Sequence, residues 1–130
     1  MIAVDTNILL RFVLRDDERQ FIKASAFLEE RTSEDPAFVS LIVVAELVWV
    51  LRKHYGYGQA AIGTLLSRLL DTEEILFEDH GSLSAIAAEA RAGDLADRLI
   101  SYSAIRAGCS HTVTFDLKAA RFVPSMELLS

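Results

Sequence analysis

Apolar residues come in two textures along this chain: short runs that stop abruptly at polar residues, and longer stretches where they recur every three or four positions. The opening seven residues belong to the first kind, with Met1-Ile2-Ala3-Val4 running into Asp5-Thr6-Asn7, and Ile8-Leu9-Leu10 and Phe12-Val13-Leu14 then take up helical spacing. This order predicts a strand, an acid and a helix. Beyond a polar break at Arg15 to Gln20, the residues Phe21, Ile22, Ala24, Ala26, Phe27 and Leu28 predict an amphipathic helix that ends near Thr32-Ser33-Glu34-Asp35-Pro36. Ala37-Phe38-Val39 reads as a short strand, and Ser40 can cap a helix that starts directly after it.

The run Leu41 to Leu51 is ambiguous, because its β-branched content suggests a strand and its length a helix. The basic ending Arg52-Lys53-His54 before Gly56 favours a helix, since cations and then glycine suit a helix C-terminus. Glu46 is its only polar residue. Gln59 to Leu70 predicts a further helix, Glu74 to Glu78 a third strand, and Leu83 to Ala92 a helix closed by Gly93. Asp94 opens another helix that runs to Gly108. Thr112 to Phe115 predicts a fourth strand ending at Asp116, followed by a helical turn at Leu117 to Arg121 and, after Pro124, an edge strand at Met126 to Leu129. Alternating strands and helices imply an α/β fold with a mainly parallel sheet covered on both faces.

With 130 residues and neither repeats nor linkers, the expectation is one domain spanning 1–130, burying about two thirds of its unfolded surface. The single cysteine, Cys109, cannot form an internal disulfide, which fits a reducing cytosol and a buried, inert thiol. No apolar run approaches the roughly 18 residues of a membrane span, and no basic-then-apolar leader opens the chain, so the expected location is cytoplasmic. A net charge of −6 argues against holding nucleic acid by broad phosphate neutralisation. It leaves room for a nucleic-acid enzyme whose acidic pocket is offset by divalent cations. An apolar fraction of 52% further suggests burial against a partner.

Four acids stand out by their surroundings: Asp5, Glu46, Asp97 and Asp116. Asp5 and Asp116 each follow a strand, so both fall on the carboxyl edge of a parallel sheet, where ligands bind. Three of them have a plainer reading: Asp5 as a helix cap, Glu46 as a solvent-facing position, and Asp97 as a first-turn acid behind a cap at Asp94. Two carboxylates about 5 Å apart repel by roughly 3 kcal/mol at an effective dielectric near 20. Their gathering therefore calls for a cation, and oxygen-only donors suit Mg²⁺ or Mn²⁺ better than zinc. His54, His80 and His111 show no ligand spacing.

Val4-Asp5-Thr6-Asn7-Ile8-Leu9, Val44-Ala45-Glu46-Leu47, Asp94-Leu95-Ala96-Asp97-Arg98-Leu99-Ile100 and Val113-Thr114-Phe115-Asp116 together resemble PIN-domain ribonucleases, especially VapC-type toxins. The resemblance spans essentially the whole chain. It implies a three-layer α/β/α fold, with Asp5, Glu46, Asp97 and Asp116 as metal-binding acids, Thr6, Asn7 and Thr114 orienting them, and Asp94 assisting. It also implies an RNA substrate, a homodimer, and a cognate antitoxin whose tail covers the acidic cleft. Ser125 in place of a glycine and Leu117-Lys118 in place of a polar pair depart from the family pattern without touching the acids.

The expected chemistry is metal-assisted phosphodiester hydrolysis. Arg11, Arg15, Arg52, Lys53, Arg98 and Lys118 are available as a rim for RNA phosphates, though ordinary solvated charges would look the same. A phosphatase using a strand-end aspartate nucleophile is a competing reading, but it would want a second acid where Asn7 stands. A non-catalytic interaction module is a third, disfavoured because it would keep the carboxylate repulsion with no ligand to relieve it.

Overall fold

The computed structural model describes residues 1–90 and 95–129. In chain order they form β1 (Ile2–Ala3), α1 (Thr6–Leu14), α2 (Glu18–Glu29), β2 (Ala37–Val39), α3 (Leu41–Lys53), α4 (Gln59–Leu70), β3 (Ile75–Phe77), α5 (His80–Glu89), α6 (Leu95–Arg106), β4 (Thr112–Thr114), α7 (Leu117–Phe122) and β5 (Met126–Leu128). All strand pairs are parallel, and the α/β architecture is consistent with the expected three-layer α/β/α fold.

Helix starts depart from the periodicity where a cap lies upstream of the first apolar residue. Asp5 caps α1 and Asp17 caps α2, their carboxylates accepting from the Thr6 and Gln20 N–H groups, so both helices begin before Ile8 and Phe21. The ambiguous run is a helix. Ser40 Oγ accepts from Val43 N–H at 3.2 Å and sets its start, while Arg52 and Lys53 occupy its last turn. Ser40→Ala should cost about 1 kcal/mol of folding free energy, read from the midpoint of a urea melt. No change in that midpoint would assign the start of α3 to other contacts. Helix α5 begins at His80, three residues before the expected Leu83, and ends at Glu89 rather than Ala92, with Ala90 in an extended conformation as its C-cap; the expected close at Gly93 and helix start at Asp94 lie outside the described residues. Cys109, expected to be buried, is exposed just beyond α6.

The main core gathers Leu9 and Leu10 of α1, Val44, Leu47, Val48 and Leu51 of α3, Ile62, Leu66 and Leu69 of α4, and Phe77 of β3. Leu95 and Leu99 bind α6 into the same core. His80 is a packing residue: its Nδ1 accepts from Phe77 N–H at 3.3 Å, leaving Nε2–H to donate to the Leu70 carbonyl at 2.9 Å. Glu89 pairs with Arg98 at 3.7 Å, and Arg106 contacts Asp79, so α5 and α6 lie antiparallel.

The sheet holds the main surprise. The sequence places β1 and β4 where they could be neighbours, but the strands fall into two ladders, β1-β2-β3 and β4-β5, with no hydrogen bonds joining β1 to β4 among the described residues. The second ladder carries its own small core of Ala119, Val123 and Met126. It is held to α6 by Arg98, which donates to the Phe122 carbonyl at 3.2 Å, and by Ser101, which donates to the Pro124 carbonyl at 3.0 Å.

Candidate active site

The carboxyl edge of the first ladder collects polar groups in register. Ala3 lies opposite Phe38, which lies opposite Leu76, and two residues further on each strand stand Asp5, Ser40 and Glu78. Helices α1, α3 and α5 all start at this edge, so their N-terminal dipole ends favour anions there.

Asp5 is exposed, and its Oδ1 accepts from Thr6 N–H at 2.8 Å. Its other oxygen has no hydrogen bond among the described residues. Capping and availability for a ligand therefore coexist in one carboxylate. Thr6 is buried in the first turn of α1, whereas Asn7 is exposed.

Glu46 projects from the exposed face of α3, between Ile42 (80% exposed) and Trp49 (59%), which share its stripe at helical spacing. It makes no hydrogen bond or ion pair among the described residues. An acid flanked by large exposed apolar side chains is unusual for a surface that meets only water. Asp97 is half-buried in the first turn of α6, and Asp94 lies outside the described residues.

Asp116 closes β4 as Asp5 closes β1. Its Oδ1 accepts from Lys118 and Ala119 N–H at 2.9 and 3.1 Å, capping α7, and its own N–H donates to Thr114 Oγ1 at 3.0 Å. Thr114 therefore holds the backbone of Asp116 in place. Asp116 rides on the second ladder and Asp5 on the first.

Glu78 belongs with these acids and escaped the sequence reading, although an acid directly after Ile75-Leu76-Phe77 carries the same strand-end signal as Asp5. Its Oε1 accepts from Leu41 N–H at 3.0 Å and so fixes the start of the helix that carries Glu46. It also faces Arg106 at 3.8 Å.

The oxygen donors of Asp5, Glu46, Asp97 and Asp116 suit a hard divalent cation. Among the described residues of a single chain, no three metal-capable side chains gather at one point. The donor chemistry fits such a cation, but the donors are divided between the main body and the second ladder.

The PIN domain family model matches residues 2–123. PIN domains are in general nucleases that act on RNA or DNA with divalent metal ions. No curated protein matches the chain. No helix among the described residues is long and apolar enough to cross a membrane.

Proposed function

Because the chain belongs to the PIN-domain family, we propose that it is an endoribonuclease, a single domain over residues 1–130, dependent on Mg²⁺ or Mn²⁺ held by Asp5, Glu46, Asp97 and Asp116. The observation that carries this reading is Asp5 itself, an exposed strand-end carboxylate that spends one oxygen on its helix and keeps the other available. Asp116 has the same arrangement at the end of β4. A bound divalent ion would lower the pKa of an attacking water and offset charge on the phosphate. The protein's share is to hold its carboxylates on the caps of α1 and α7 and on α3, with Thr6, Asn7 and Thr114 limiting their motion and Asp94 assisting.

We assign the chain to the toxin side of a toxin–antitoxin pair, a cytoplasmic homodimer restrained by its antitoxin. The exposed stripe of Ile42 and Trp49 beside Glu46 supports this, because a segment lying along it would cover both the apolar surface and the acid. RNA cleavage by the purified protein should need Mg²⁺ or Mn²⁺, fall to background with EDTA, and return when Mg²⁺ is added in excess. Cleavage that continues unchanged in EDTA would remove the metal from the mechanism.

A further inference from the structure

Five cations lie on or beside α1 and α2, and three of them are answered by carboxylates. Arg11 bonds both oxygens of Asp16 at 3.0 and 3.1 Å, Arg15 meets Glu18 at 3.1 Å, and Arg31 meets Asp35 at 3.0 Å. Arg19 and Lys23 are both exposed and have no hydrogen bond or ion pair among the described residues. Four positions apart, they share a face of α2, where like charges weaken a helix. Such a pair calls for an anion from outside the chain.

Lys23 also borders a groove. A cavity of about 390 Å³ lies between α1 and α2, with Ile8, Ala24 and Phe27 as its less exposed, apolar lining and Asn7, Gln20 and Lys23 as its exposed polar rim. The chain turns back between the two helices, and Gln20 accepts from Arg11 Nε at 2.6 Å, which sets these two residues roughly level. Counting three residues from each, at about 1.5 Å per residue, brings Lys23 level with Ile8, less than one helical turn from the level of Asp5. Asn7 borders the same groove two residues from Asp5. The groove therefore opens on the acid edge.

We propose that this groove seats the nucleotide next to the scissile bond of the RNA, with the Lys23 ammonium on its phosphate, the apolar lining under its sugar and base, and Arg19 on the next phosphate along the strand. The assignment rests on the nuclease reading above. The cavity falls at the lower end of the range of about 300–1,000 Å³ that holds small ligands, which suits one nucleotide. Its rim carries a cation with no acid to answer it, which suits a phosphate.

Electrostatics makes such a contact matter more here than in a basic protein. A net charge of −6 repels a polyanion as a whole, so the strand depends on the few local cations whose charge is not already spent. Arg11 and Arg15 looked available in the sequence, but Asp16 and Glu18 occupy them. Arg19 and Lys23 take their place, and only the folded chain separates the two pairs.

Lys23→Gln in the full chain should raise KM for RNA cleavage about tenfold and leave kcat within about twofold, because the contact is made equally before and in the transition state. The second readout is binding of a short fluorescent oligouridylate in EDTA, followed by anisotropy over a range of salt. Its slope of log affinity against log salt should become shallower by about 0.7, the share of one phosphate contact on a single strand. Lys23→Arg keeps the charge and should restore both values. Arg68 has no ion pair among the described residues either, but it stands in the last turn of α4, before β3 and so at the opposite end of that strand from the acid edge. Arg68→Gln should therefore change neither value. Parental KM and slope in Lys23→Gln, or an equal change in Arg68→Gln, would overturn the proposal. Polyglutamate bound in place of oligouridylate, with the same dependence on Lys23, would overturn it in favour of an acidic protein segment. If the parent cuts no RNA but Lys23→Gln flattens the oligouridylate slope, the nuclease reading fails and the groove survives as an RNA site. If the parent cuts and Lys23→Gln keeps the parental slope, the groove fails alone.

Discussion

Asp5→Asn should lower RNA cleavage by more than about a hundredfold and leave the fold in place. Outer partners of metal ligands typically cost about 10–100-fold when removed, and a ligand itself should exceed that range. Asparagine caps helices about as well as aspartate. The bond to Thr6 N–H is therefore kept, and only the charge is lost. Asp5→Ala would lose both, adding about 1 kcal/mol of destabilisation to the same catalytic defect. Cleavage rates measured beside thermal melts of both variants separate the two roles. An Asp5→Asn protein that cuts RNA at the parental rate would take Asp5 out of the mechanism.

Phe77→Ala should be the most damaging core change, at about 3–5 kcal/mol. Domains of this size are stable by only about 5–15 kcal/mol, so the melting temperature should fall by roughly 10–20 °C. Phe77 is 2% exposed at the end of β3, and its ring meets His80 edge-on at 5.7 Å. Truncation would leave a cavity and also loosen the imidazole that links β3 to the Leu70 carbonyl. Phe77→Leu keeps most of the volume and should cost less than half as much. Equal losses for the two variants in a guanidinium melt would show that the ring's shape, not its bulk, is what the core needs.

Glu46 shows how far a pattern reaches and where it stops. One acid in an eleven-residue apolar run is conspicuous in the sequence, but the run could not say which way that acid points. Packing of Val44, Leu47, Val48 and Leu51 into the core turns Glu46 outward with Ile42 and Trp49. Glu78 is the reverse case. Its strand-end position was visible, yet its bond to Leu41 N–H spans 37 residues and exists only once β3 lies beside β2.

The sequence alone determined the elements, most of their ends and the caps that set them, because these depend on groups within a few residues of one another. Asp5, Ser40 and Asp116 each find their N–H partners within three positions. Only the tertiary structure decided which strands share a ladder. Period-two alternation records which face of a strand is buried but not which neighbour its backbone bonds, so two ladders and one continuous sheet can be written in the same residues. That choice places Asp5 and Asp116 on separate ladders of one chain.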